Sequence, residues 1–476
     1  MNGSGGWGLL AGLCLAAAGC AAVPVDLALR RHILMVDSDG ELRDPAGDGE
    51  VVPDETDPPG GASPREAYFR ELLEAMTRET EGSLQAHGRR RVILYIHGGL
   101  NSPDDGIERA RKVLEEIGKD AAAGRDPPFL VFVNWDSSFV SCYLDHLFTI
   151  RQGKDRSGVW VMAAPFYLAA DVLRGAASAP LLWFREIEIA LGAETGEVRD
   201  ADRRAAWYGG RGGLEVRRGS DGSAGILETI QRVVFVPARA ATIPFVHGLG
   251  ASAWRTMERR ISMMFHTEKE FTAGQGSAAP RGALHLFLDG LRSHVGDGEG
   301  WELTLMGHSM GALVMNQMLR DAPGIHWRRI VYMASACTVR DYADTVVPYM
   351  ERPGNADTQV VHLMLADRPE RAEKYWDLVD VVPRGSLLTW VDAYLATPPT
   401  RLDRTAGRFV NFITAPSTIL RREGVEERTR VWQFDGGDPD QPQQHGDFDE
   451  PRFRFWEEEW WRRAGGVEAG ETAARE

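Results

Sequence analysis

Short, largely apolar runs recur along this chain, and most are followed by a stretch of helical period. The runs are Val92–Ile96, Phe129–Val133, Leu303–Met306, Ile330–Ala334, Val360–Leu365 and Val431–Phe434. A strand with apolar side chains on both faces must be covered on both. Ile107–Ile117 and Ala312–Leu319 carry the 3.6-residue spacing of amphipathic helices. Such alternation predicts an α/β fold, a mostly parallel sheet wrapped by helices on its two faces. The 476 residues are 43% hydrophobic, enough to bury a core of that size, and carry a formal charge of −15. That balance argues against nucleic-acid binding and against general adhesion to anionic lipid, both of which need a cationic face.

The apolar runs divide the chain. Residues 20–90 hold a hairpin (Ile33–Val36 and the segment after Asp39-Gly40), an acidic Pro/Gly-rich linker over 44–64 and a helix over Arg65–Thr80. Residues 91–139 and 284–464 carry the strands of the core, with a final helix near Phe455–Trp461 and a polar tail over 465–476. Residues 140–283 break the rhythm and read as an inserted, mainly helical cap at the strand ends, with a Gly/Arg-rich loop over 209–223. Trp160, Phe166, Tyr167, Leu168, Leu181, Leu182, Trp183 and Phe184 cluster there. They read first as a small helical core burying its own aromatics, and second as an acyl-chain pocket or a membrane-facing lid. Asp171, Arg174, Arg185, Glu186 and Glu188 argue against a transmembrane hairpin. Arg203, Arg204, Arg211, Arg217 and Arg218 read as a solvated loop, with phosphate binding as the alternative.

Residues 1–25 hold no Lys or Arg and no acidic side chain, and Trp7–Ala18 is an apolar stretch of about a dozen residues, the length of a signal h-region rather than a membrane span. Leu15-Ala16-Ala17-Ala18-Gly19-Cys20 resembles a bacterial lipoprotein signal. The resemblance implies removal of residues 1–19 and lipidation of Cys20, hence a membrane anchor without a spanning helix and a place in the cell envelope, in the periplasm or at the outer membrane. A plainly secreted or a cytoplasmic protein is the alternative. Of four cysteines, Cys142 and Cys337 lie beyond this leader and read as unpaired core thiols.

Gly307-His308-Ser309-Met310-Gly311 stands between an apolar strand and a helix. This is the setting of a nucleophile elbow, in which a strained turn presents a serine and flanking glycines avoid the neighbouring strand and helix. A serine hydroxyl needs a base, and the base an orienting acid. His445, in a loop after the last strand, is the candidate base. His326 and His362, beside and inside strands, read as packed. Asp367, directly after Val360–Leu365, is the candidate acid, with Asp341, Asp377 and Asp380 as alternatives. The amide of Met310 and that of Gly99, in the His97-Gly98-Gly99 turn after Val92–Ile96, are the candidate oxyanion donors. His97 reads as a structural hydrogen-bonder.

These motifs, with Ser309, Asp367 and His445 in that order, resemble the α/β-hydrolase superfamily, and more narrowly its bacterial esterase- and lipase-like members. The resemblance covers about 91–137 and 284–462. It implies a Ser-His-Asp triad, no metal, no dissociable cofactor, and hydrolysis of carboxylic esters, of small molecules or lipids, through an acyl-enzyme. An acyltransferase with the same residues and a non-catalytic envelope binding protein or scaffold are the other readings. No protein partner can be read from the chain.

Overall fold

A computed structural model describes residues 25–46, 50–53, 63–151, 154–155, 158–190, 195–209, 214–217, 235–267, 281–374 and 382–458. The leader with Cys20, Arg211, Arg218, Asp377, Asp380 and the polar tail lie outside the described residues, as does most of the linker.

The strands are β1 (Ile33–Val36), β2 (Leu42–Arg43), β3 (Arg90–Ile96), β4 (Phe129–Trp135), β5 (Ile150–Arg151), β6 (Lys154–Asp155), β7 (Glu215–Arg217), β8 (Trp301–His308), β9 (Arg329–Met333), β10 (Gln359–Leu365) and β11 (Thr429–Phe434). Nine of them form one sheet in the order β2-β1-β4-β3-β8-β9-β10-β11-β7, while β5 and β6 pair separately. Only β2 runs antiparallel in the large sheet. The fold is therefore α/β, with a mostly parallel sheet. The central strands are buried along most of their length, and β4 along all of it. This is what their largely apolar sequence requires.

Local sequence starts the covering helices. Ser63 and Ser102 cap the helices Pro64–Glu79 and Pro103–Ala122, each with a reciprocal capping box and a proline in the first turn. The chain leaves β3 toward β4 on one side and returns through β8 toward β9 on the other. β3 and β8 are hydrogen-bonded neighbours, in register from Arg90↔Trp301 to Ile96↔Gly307. The turns after these two strands thus meet at the point where strand order reverses, a position that leaves a crevice at the carboxyl ends of a parallel sheet.

Between β4 and β8, the helices Ala164–Ala190 and Val236–Met263 pack antiparallel. A Cβ on Gly175 would lie 1.9 Å from the Pro244 carbonyl oxygen, and one on Gly248 2.3 Å from that of Asp171, so glycine permits the close crossing. Two buried arginines pin this pair to the core. Arg239 meets Glu186 at 2.6 Å, whose other oxygen accepts from the Tyr394 hydroxyl at 2.6 Å. Arg260 meets Asp136, just beyond β4, at 3.0 Å.

Two expectations for this segment change. Phe166 is 77% exposed and Phe184 60%, whereas Leu182 is buried. The aromatics are not all gathered into a small core, because one helix–helix interface can cover only one side of each helix. And residues 215–217, inside the span read as a loop, add β7 to the sheet edge. A three-residue strand has no sequence pattern of its own; the open edge of β11 makes it one.

Candidate active site

Gly307 and Gly311 explain the turn between β8 and the helix Gly311–Asp321. A Cβ on Gly307 would fall 2.2 Å from Met315 Sδ and 2.9 Å from the Gly311 carbonyl carbon, and one on Gly311 2.4 Å from the Ile96 carbonyl oxygen. Between them Ser309 takes φ +50°, left-handed backbone that a non-glycine residue adopts at a cost. Two main-chain bonds hold it there: its N–H donates to Met333 at 2.9 Å, and its carbonyl accepts from Ala336 at 2.9 Å. The strain is thus sustained by β9 as well as by the elbow.

His445 opens a short 3-10 turn, His445–Asp449, that follows β11. Its Nε2 lies 2.9 Å from Ser309 Oγ. With the hydroxyl donating, Nε2 is the unprotonated nitrogen and Nδ1 carries the proton. Burial, followed by neighbouring His308, holds the imidazole well below its ordinary pKa, with Asp449 opposing. The ring is therefore neutral at physiological pH, the form a base requires. Ser309 is 1% and His445 5% exposed, so their contact is shielded from bulk water.

The glycine turn after β3 lies directly against the elbow. A Cβ on Gly98 would be 2.9 Å from Ser309 Cβ, and one on Gly99 2.7 Å from Met310 Sδ. Among the described residues, neither the Gly99 nor the Met310 amide donates to another main-chain group. The turn is fixed from behind. Asn101 Nδ2 donates to the carbonyls of Gly98 at 2.9 Å and Gly99 at 3.1 Å, and the Leu100 N–H donates to Ser137 at 2.9 Å. Both ring nitrogens of His97 are engaged within the scaffold: Nδ1 lies 2.7 Å from the Gly98 carbonyl, and Nε2 lies 3.0 Å from Asn134 Oδ1 and 3.1 Å from the Trp135 N–H. Burial lowers its pKa to about 4, so it stays neutral and structural.

Asp367 lies elsewhere in its bonding. Its carboxylate meets Arg371 at 2.6 Å and Arg408 at 3.3 Å. Nδ1 of His445 meets no hydrogen-bond partner among the described residues, so the expected link from Asp367 to the base is not made. The physical reason is competition, since two guanidinium groups offer a buried carboxylate more than one neutral N–H does. Asp341 is also committed, to Asn316 and to Arg320 at 2.5 Å.

Other carboxylates surround His445. Glu373 Oε2 accepts from the His445 main-chain N–H at 3.0 Å, and burial pushes this carboxyl up to about 7. His308 Nε2 lies 2.9 Å from the His445 carbonyl oxygen, and its Nδ1 3.2 Å from Asp449 Oδ2. The same carboxylate oxygen accepts from Tyr95 Oη at 2.5 Å and pairs with Arg109. Burial opposes ionisation of Asp449, but the charges of His308 and Arg109 and these hydrogen bonds outweigh it and hold the carboxyl well below the usual range.

Sequence reasoning missed His308, Glu373, Asp449, Tyr95 and Arg109. Two carried a signal: His308 is the variable residue of the elbow, and Asp449 stands one 3-10 turn after the base. His362 stacks on Tyr332 at 5.0 Å between centroids, and His326 pairs with Asp357 at 2.7 Å, so both are engaged away from Ser309. Cys142 and Cys337 are buried free thiols. Among the described residues, no cluster of ligands suits a metal ion and no helix is long and apolar enough to cross a membrane. Comparison with protein-family models, with curated proteins and with solved structures finds no match for this chain.

Proposed function

We propose that this chain is a serine hydrolase of the α/β-hydrolase type that cleaves carboxylic esters. One observation carries the reading: a serine in left-handed backbone at a strand-to-helix turn, with the Nε2 of a buried neutral histidine 2.9 Å from its hydroxyl. The meeting of the β3 and β8 turns at the sheet's reversal point supports the same reading.

In this mechanism Ser309 Oγ attacks the ester carbonyl carbon as His445 Nε2 takes its proton. The amides of Met310 and Gly99 receive the oxyanion of the tetrahedral intermediate. Collapse expels the alcohol, to which His445 returns the proton, and leaves an acyl group on Ser309. Water then repeats the sequence and releases the acid. Because Ser309 is buried, entry of the ester requires the groups shielding it to part. The lipoprotein-like leader adds the proposal that the enzyme is anchored at the cell envelope through Cys20, with lipidic esters among its substrates.

A fluorophosphonate probe tests the reading. Labelling mapped to Ser309 and abolished by Ser309→Ala is the expected result. Folded, intact protein that takes no label anywhere between pH 6 and 9 overturns it.

A further inference from the structure

The base is gripped by its main chain on both sides. Its N–H donates to Glu373, and its carbonyl oxygen faces His308 Nε2 at 2.9 Å. His308 ends β8 and directly precedes the nucleophile. The hydrogen bond therefore joins the loop bearing the base to the strand bearing the serine, across 137 residues of sequence. Only a protonated Nε2 can hold a carbonyl. The other nitrogen, Nδ1, faces Asp449 Oδ2 at 3.2 Å, and Asp449 is in turn fixed by Tyr95 and Arg109. The rings of His308 and His445 lie 5.0 Å apart between centroids, so the two imidazoles are close enough to need different tasks.

We propose that His308 is a positioning residue: by holding the His445 carbonyl, and being held itself by Asp449, it keeps the base in register with Ser309. The proposal rests on the serine-hydrolase reading above and deepens it. A hydrogen bond to the main chain acts on the whole 445–449 turn, whereas an acid at Nδ1 would act on the ring alone. Losing the grip lets the imidazole drift from Oγ, and misplacement of about 1 Å can cost about 100-fold in rate.

The test uses the full chain with His308→Leu, His308→Gln and His308→Asn, a fluorophosphonate probe and a chromogenic short-chain ester. The Gln amide nitrogen can stand where Nε2 stands; Leu cannot donate, and Asn is too short to reach. The expected result is a fall of about 10- to 100-fold in kcat and in labelling rate for Leu and Asn, with KM within about twofold, and recovery of most of the rate by Gln. Should the Leu variant fail to fold by thermal melting, the comparison of Gln with Asn carries the test. Folded Leu or Asn variants that label at the wild-type rate overturn the proposal and leave the serine-hydrolase reading intact. A Gln variant as slow as Asn also overturns it. Wild-type protein that never labels overturns both.

Discussion

After β10, Asp367 is held between Arg371 and Arg408, and Arg408 also reaches Asp392 at 3.6 Å. After β11, at the same end of the sheet, Asp449 is held by one arginine, one tyrosine and one histidine, and that histidine grips the main chain of the base. Both groups bury carboxylates, and both must be paired to be tolerated. The difference lies in what the partners do next. Guanidinium groups keep their protons at any relevant pH, so the Asp367 group is a static brace. Imidazoles accept, donate and reorient, so on the proposed reading the Asp449 group transmits its position to Ser309.

Substitutions on the two sides separate these roles. The largest effect belongs to the base: His445→Gln is expected to lower kcat by at least about 10³-fold while the melting temperature changes little, as measured by ester hydrolysis and calorimetry. Arg408→Met should do the reverse. Its loss takes one charged partner from two buried carboxylates, Asp367, which keeps Arg371, and Asp392, which keeps Thr405 and Asn411, at a cost of about 1–3 kcal/mol in a denaturant titration. A stable Arg408→Met protein with lost activity would erase the contrast.

The pH dependence of stability sharpens it. Burial pushes Glu370 up to about 8 and Glu373 up to about 7. Above the ordinary carboxylate range the unfolded chain ionises both, while the folded chain keeps them protonated until those values are reached. The unfolded state then binds fewer protons, so stability falls as pH rises from about 4.5 to 8, by about 1.4 kcal/mol per unit of displacement for each group. Melts across this window are expected to show the fall, with Glu370→Gln flattening its upper part. Asp449 acts at the other end: its depressed pKa contributes stability that is lost as pH drops below the usual carboxylate range.

A smaller effect on turnover tests the brace directly. Asp367→Asn should lower the melting temperature and leave kcat within about threefold, since Asp367 does not meet the base. A hundredfold loss of kcat at unchanged stability would return the acid of the triad to Asp367. Least of all, Asp341→Asn is expected to change kcat by less than about twofold. Its carboxylate serves Asn316 and Arg320, well away from His445 in the bonding network.

Much of the scaffold was legible because it follows from local pattern. The central runs are largely apolar and became buried parallel strands, and the helix expected from Arg65 begins one residue earlier, at Pro64 behind the Ser63 cap. The elbow was legible for the same reason, as its glycines sit where any side chain would collide with the next strand or helix. β7 was not, since three residues take strand form only beside an edge built more than 200 residues later. Nor was the outward-facing Phe166, because exposure depends on which side of a helix finds a partner. The bonding of Asp367 was hidden for a related reason. A carboxylate at the end of β10 looks available in sequence, and only folding brings Arg408 to it from beyond the next helices.

By itself the sequence determined the elements, the strained turn at Ser309 and the kind of chemistry its flanks invite, since each depends on residues that touch along the chain. Tertiary structure decided which histidine reaches the hydroxyl, which carboxylates arginine neutralises and which remain to steady the base. Those outcomes depend on distances between groups tens to hundreds of residues apart, and on the burial that makes each unpaired charge too costly to leave alone.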